Sequence, residues 1–272
     1  MGNIKIEDLI EEYDNLEGRL ILSHLMNLNY TALMLMLREN ASEKIVNEFR
    51  EIVKRRKNGE PLQYILGIWN FYGREFYVGR EVLIPRPETE ILVEKVLGYV
   101  EDGMEILDIG SGTGIISITI AKEKPKAKVY GVDVSQQAYD MSKRNAIKLN
   151  AKNVSYELGN LYEPYFEKKF DIIVSNPPYI SKKEIKTLEK ELKYEPELAL
   201  YGGEDGLFYY RKIIAQANDH LKDGGYIFFE IGHNQKYDIV KLLEAENFSE
   251  IESFKDYNNF DRIVLGRKNG SK

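Results

Sequence analysis

Five consecutive residues, Ser175-Asn176-Pro177-Pro178-Tyr179, bring together a side-chain amide, backbone carbonyls and an aromatic ring. They follow an apolar run, 170–174, that predicts a short buried strand, and the two prolines end it. Proline fixes φ, lacks an N–H and restricts the residue before it. Asn176 and Pro177 are therefore held extended, with carbonyls that a sheet cannot use. Such a corner suits a planar –NH2 group. The Asn176 side-chain oxygen and the Pro177 carbonyl would accept its two N–H bonds, and Tyr179 would lie against its face. In an open parallel sheet, ligands bind at this end of the strands. Asn-Pro-Pro also serves as a plain loop initiator, so the reading as a catalytic corner depends on a second motif upstream.

That motif is Asp108-Ile-Gly110-Ser111-Gly112-Thr113-Gly114, at the end of a predicted strand (105–109) and directly before a helix. Glycines let the backbone turn tightly and approach a ligand closely. Asp133 ends the next predicted strand about 20 residues on, where a carboxylate accepts from two ribose hydroxyls. A dinucleotide fingerprint would need glycine at position 115, and Ile115 stands there. The acid two residues before Gly110 suits a cationic ligand better than a pyrophosphate. These features predict a nucleoside-type cofactor, S-adenosylmethionine, with Asp108 near its sulfonium or amino group. Asn160-Leu161, after the third predicted strand, is either a plain loop or the segment that meets the adenine, Asn160 by hydrogen bonding and Leu161 by packing. A third stretch, Leu83-Ile-Pro85-Arg86-Pro87-Glu88-Thr89-Glu90, combines stiff backbone with charge. It reads equally as a capped helix start, with Glu88 favoured near a helix N-terminus, or as part of a site in which Arg86 and Glu88 bind substrate.

Repeated strand–helix units must position these residues. From about residue 104 the hydrophobic pattern alternates five strands with helices and closes on an antiparallel pair around 248–254 and 262–265. Such repetition predicts an α/β fold: a mostly parallel, Rossmann-like sheet covered by helices on both faces, with the last strand antiparallel. Residues 1–59 show helical spacing and predict a small helical bundle, with the Leu33–Leu37 run in its core. Residues 60–84 read as a linker turning into a β-hairpin, and 85–272 as the catalytic domain.

Composition narrows the function further. The 272 residues are 43% hydrophobic and 30% charged, which fits a soluble globular protein. There is no cysteine, so disulfides, a thiol nucleophile and cysteine-ligated metal are excluded. His24, His220 and His233 lack metal-ligand spacing and are expected to be structural. The N-terminal residues show no signal-peptide pattern, which makes the cytoplasm the expected address. A net charge of −6 argues against a duplex-gripping protein, which ordinarily carries a basic stripe. The one dense cationic cluster, Lys54-Arg55-Arg56-Lys57, falls at a predicted helix end. It reads as a solvated terminus or as a docking patch for an acidic or RNA-like partner.

Over nearly its whole length the chain resembles the release-factor glutamine N5-methyltransferases (HemK/PrmC), within the S-adenosylmethionine-dependent class I methyltransferases. The resemblance is carried by Pro61-Leu-Gln-Tyr-Ile-Leu-Gly67, the 83–90 stretch, Asp108 to Gly114, Asn176 to Tyr179, Tyr194-Glu-Pro196 and Gly202-Gly-Glu-Asp-Gly206. It implies methylation of the glutamine in the Gly-Gly-Gln motif of bacterial class I peptide-chain release factors. It also implies that Gly110, Ser111, Gly112, Thr113, Gly114, Asp133, Leu161 and Asn176 line the cofactor, and that Asn176, Pro177, Pro178 and Tyr179 hold the glutamine. The N-terminal helical domain would help to dock the release factor. Asn160 stands where relatives often carry an acid, and Leu161 replaces an aromatic found in some, which leaves cofactor affinity open. Two other readings follow from the same residues. One is a methyltransferase of exocyclic amines on DNA or RNA, which shares the Asn-Pro-Pro-Tyr chemistry on a flipped base. The other is a non-catalytic, cofactor-binding adaptor of the translation machinery. A monomer with no stable nucleic acid and no membrane contact is expected.

Overall fold

A computed structural model describes residues 4–186 and 191–270. The chain divides into two compact units, Met1–Ile68 and Trp69–Lys272.

The first unit contains α1 (Ile6–Glu11), α2 (Asn15–Met26), α3 (Tyr30–Leu35), α4 (Glu43–Lys57) and α5 (Leu62–Leu66). Asp14, Asn29 and Ser42 start α2, α3 and α4 by accepting from backbone N–H groups one turn on. Leu9, Ile21, Leu22, Leu33 and Phe49 are fully buried or nearly so. The run 33–37 is not core throughout, because Leu35 is 83% exposed. Residues 62–66, within the stretch read as linker, form a helical turn ended by Gly67. In the 54–57 cluster, Arg55 pairs with Glu60 and Arg56 with Glu17, which reduces the free positive charge of that helix end.

A hairpin, β1 (Ile68–Phe71) and β2 (Arg74–Tyr77), begins at the last residue of the first unit and turns at Tyr72-Gly73. After α6 (Pro87–Leu97) come β3 (Glu105–Ile109), α7 (Ile115–Glu123), β4 (Lys128–Asp133), α8 (Gln136–Lys148), β5 (Val154–Leu158) and β6 (Phe170–Ser175). Then follow α9 (Lys182–Ile185), α10 (Phe208–His220), β7 (Leu221–Glu230), α11 (Lys236–Ala245), β8 (Phe248–Lys255) and β9 (Asp261–Lys268). The seven-stranded sheet has the order β5-β4-β3-β6-β7-β9-β8. Strands β5 to β7 run parallel in it, and β9 is antiparallel to both β7 and β8.

Both faces of the sheet are covered, as its apolar strands require. Ile106, Ile172, Val174 and Phe228 face a core shared with α6 and α7. Their chain neighbours Leu107, Ile173 and Phe229 face the opposite core, with α10 and α11. Each such buried side chain contributes about 1.5–3 kcal/mol. His220 is structural as expected: it stacks on Tyr162 at 4.3 Å, and its Nδ1 lies 3.2 Å from the Lys168 carbonyl. Among the described residues no helix is long and apolar enough to cross a membrane.

Candidate active site

The strand order positions the site. From β3 the chain steps outward through β4 to β5, then returns to lay β6 on the other side of β3. Crevices form at such reversals, beyond the carboxyl ends of the strands. The loop after β3 and the corner after β6 are therefore neighbours, although 66 residues separate Ile109 from Ser175. Ser175 Oγ ties them together by donating to the Ile109 carbonyl at 2.7 Å.

A cavity of about 390 Å³ opens there. Gly110, Ser111, Gly112, Thr113, Asp133, Asn160, Leu161, Asn176, Pro177, Pro178 and Arg86 all line it. Asp133 accepts from Gly112 N at 2.8 Å and from Ser135 N at 2.9 Å. Burial raises its pKa, and those backbone donors oppose the rise. Asn160 is exposed at the rim, and its Nδ2 donates to Glu163 Oε1 at 3.3 Å. Leu161 sits at φ +53°. A left-handed backbone costs a non-glycine residue about 1–2 kcal/mol, and this strained residue lines the cavity.

Four expected residues lie elsewhere. Gly114 is outside the lining and caps α7, packed against Tyr156. Tyr179 packs into the core shared with α10 rather than into the cavity, and burial pushes its phenol up to about 12. Glu88 is outside the lining, and its neighbour Thr89 lines the cavity instead. Asp108 is fully buried behind the glycine turn. Its Oδ2 accepts from Ser117 N at 3.1 Å, and its Oδ1 has no partner among the described residues. Arg86 lines the cavity but is engaged in an ion pair with the buried Glu195, whose Oε2 also accepts from Ile84 N at 3.1 Å. That pair ties the segment carrying Pro196, Leu198 and Ala199 along the cavity to the loop before α6.

The residues fit a nucleoside cofactor bearing a cationic end. A Cβ built on Gly110 would meet nothing within 4 Å, so the turn borders open space. Asp108, outside the lining, keeps a fully buried carboxylate oxygen with no donor among the described residues. Burial pushes the Asp108 carboxyl up to about 7, against an ordinary 3.8. The folded protein then binds this proton more tightly than the unfolded chain, so stability falls as pH rises between about 4 and 7. The Tm of ligand-free protein is expected to decline across that window, and more shallowly in Asp108→Asn. Parallel Tm curves for the two proteins would refute the assignment.

Sequence reasoning missed the residues behind the corner. Thr89 Oγ1 accepts from Asn176 Nδ2 at 3.3 Å and donates to Glu230 Oε2 at 2.7 Å. Gln235 Nε2 donates to the carbonyls of Tyr179 at 3.0 Å and Gly206 at 3.2 Å. Gly202 packs so tightly on the corner that a Cβ there would lie 2.6 Å from the Pro178 carbonyl oxygen. The available signal was an acid, Glu230, ending the apolar run Tyr226-Ile-Phe-Phe229.

Comparison with known proteins agrees with this geometry. Residues 87–195 match the methyltransferase small domain and residues 7–67 the PrmC N-terminal domain. Residues 147–260, which include the corner, also match the Eco57I restriction-modification methylase model. Among solved structures, a methyltransferase from Pyrococcus furiosus aligns with TM-score 0.56 and 19% identity, over 82% of this chain and 98% of that one. The T. thermophilus 16S rRNA N2 G1207 methyltransferase, in complex with AdoMet and guanosine, aligns with TM-score 0.53 and 20% identity, over 74% of this chain and 49% of that one. Fold and site together define an S-adenosylmethionine-dependent methyltransferase. The release factor glutamine methyltransferase of Aquifex aeolicus is 38% identical over 98% of this chain and 97% of its own. That of Fusobacterium nucleatum is 42% identical over 93% and 73%. The chain belongs to the release factor glutamine methyltransferase family.

Proposed function

We propose that this enzyme methylates the side-chain amide nitrogen of the glutamine in the Gly-Gly-Gln motif of bacterial class I peptide-chain release factors. The observation that carries the reading is the convergence of the Asn176–Pro178 corner and the Gly110–Thr113 turn on one cavity, in a chain whose similarity to that family is nearly end to end.

An amide nitrogen is a poor nucleophile, because its lone pair is delocalised into the carbonyl. S-Adenosylmethionine, when bound, supplies an electrophilic methyl group whose bond to sulfur breaks on transfer, leaving S-adenosylhomocysteine; Gly110, Ser111, Gly112, Thr113, Asp133, Asn160 and Leu161 would hold it. Asn176 Oδ1 and the Pro177 carbonyl accept the two N–H bonds of the glutamine amide and fix its plane. As the new N–C bond forms, positive charge builds on nitrogen and both acceptors bind more strongly. They thus favour the transition state over the ground state. The nitrogen, made acidic by methylation, then gives up a proton to solvent. Pro178 shapes the wall beside the amide, and Tyr179 backs the corner from the core side. Arg86 serves by holding Glu195 and its segment in place.

The helical domain, taken as residues 1–59 and joined through 60–84 to the catalytic domain at 85–272, would dock the release factor. The enzyme would act as a cytoplasmic monomer without membrane contacts and without stable nucleic acid, the last supported by its net charge of −6.

The test is methyl transfer from labelled cofactor to purified release factor, wild type beside a Gln→Ala variant of the Gly-Gly-Gln motif. Label on the wild type alone is the expected result. Label on neither, with transfer to ribosomal RNA or DNA, would instead support the nucleic-acid reading that the Eco57I match allows.

A further inference from the structure

Asn176 can perform its proposed role in only one orientation. An amide presents an oxygen on one side and an –NH2 on the other, and the two are nearly alike in shape. A substrate amide that must donate needs the oxygen. Rotated by half a turn, Asn176 would offer its own donor to a donor, and the corner would repel the group it is built to hold.

The chain behind Asn176 selects the orientation. The Thr89 hydroxyl carries one proton. Its neighbour, the Glu230 carboxylate, has only lone pairs when ionised, so the hydroxyl must donate to it; they lie 2.7 Å apart. Thr89 Oγ1 is then left with lone pairs alone and can receive only the Asn176 –NH2, 3.3 Å away. Thr89 and Glu230 are each 1% exposed, so no solvent molecule competes for these bonds. We propose that Glu230, acting through Thr89, is the positioning residue that sets the Asn176 amide with its oxygen toward the substrate. This rests on the function proposed above.

The arrangement depends on the charge of Glu230. Protonated, Glu230 would donate to Thr89, whose hydroxyl would then be free to donate to Asn176 Oδ1 and stabilise the rotated amide. Charged and titratable groups face Glu230 from every packed element. From α6 come Thr89 and Glu88, and from the corner Asn176 and Tyr179. From α10 comes Tyr210, whose hydroxyl donates to the Glu230 backbone carbonyl at 2.7 Å. From β9 comes Arg262, itself paired with Asp256 at 3.1 Å. Burial pushes the Glu230 carboxyl up to about 7; Thr89, Arg262 and Asn176 hold it down, and Glu88 lifts it. The switch between the two hydrogen-bond orders therefore falls near neutral pH.

The test combines kinetics with a spectroscopic signature. Thr89→Val keeps the side-chain shape and removes the hydroxyl; Thr89→Ser keeps the hydroxyl. We expect Thr89→Val to lose about 10- to 100-fold in kcat/KM for the release factor, with S-adenosylhomocysteine affinity by calorimetry unchanged, and Thr89→Ser to restore most of the loss. In ¹⁵N-labelled protein, the Asn176 side-chain amide resonances, assigned by their absence in Asn176→Ala, should shift with an apparent midpoint near 7. In Glu230→Gln they should not titrate. Wild-type kcat/KM in folded Thr89→Val, or Asn176 resonances in Glu230→Gln that coincide with those of wild type at pH 8.5, would overturn the proposal. The resonances need no substrate, so they decide the point even if Thr89→Val does not fold, or if methyl transfer to the release factor itself is not found.

Discussion

An Asn176→Ala enzyme is expected to keep its fold and lose roughly 10²–10³-fold in kcat, by analogy with the removal of one oxyanion-hole donor. Asn176 is only half buried and follows the last sheet-paired residue of β6, Ser175, so its truncation leaves the ladder intact. What disappears is one of two acceptors that strengthen as the nitrogen becomes positive. The substrate amide would keep the Pro177 carbonyl and lose its second anchor, so turnover suffers far more than cofactor affinity. Single-turnover transfer of labelled methyl to release factor, with calorimetric binding of S-adenosylhomocysteine alongside, separates the two. Turnover within twofold of wild type would remove Asn176 from the chemistry.

The second large effect divides two glycines of one turn. Gly110 and Gly114 sit at φ +76° and +80°, where an added Cβ costs about 1–2 kcal/mol. At Gly114 that Cβ would also lie 2.6 Å from Tyr156 Oη and 2.9 Å from Ile118 Cδ1. Tyr156 is held by Ser117 Oγ at 2.9 Å and cannot withdraw freely. Overpacking adds about 1–3 kcal/mol, so Gly114→Ala is expected to lower the Tm by roughly 5–15 °C. At Gly110 the Cβ would enter the open space of the cavity. Gly110→Ala is expected to lower the Tm by less than half as much and to weaken cofactor binding at least tenfold. Thermal melts and calorimetry on the two variants check both halves; equal Tm losses with equal affinities would show that the glycines share one role.

These paired expectations mark the boundary between what could be read locally and what could not. The β-hairpin within 60–84 and the glycine turn after β3 depend on residues within a few positions of one another, and their local chemistry predicts them. The corner after β6 is of the same kind, since two prolines dictate its backbone wherever the strand is placed. Gly114 was grouped with Gly110 because a sequence shows spacing but not what stands beside each Cα. Glu88 stands out in the sequence because charge is conspicuous there, and the Thr89 hydroxyl that lines the cavity does not. The turn of α6 decides which of the two faces the cavity.

Residue order alone therefore determined the parallel α/β architecture, the helical first unit, the glycine turn and the rigid corner, since periodicity, capping and proline geometry act over short distances. The tertiary structure decided that β9 inserts between β7 and β8, that Arg86 is engaged by Glu195, and that Glu230 stands behind Thr89 and Asn176. Those contacts join residues dozens of positions apart, and they arise only where burying apolar strands on both faces of one sheet brings the ends of β3, β6 and β7 side by side.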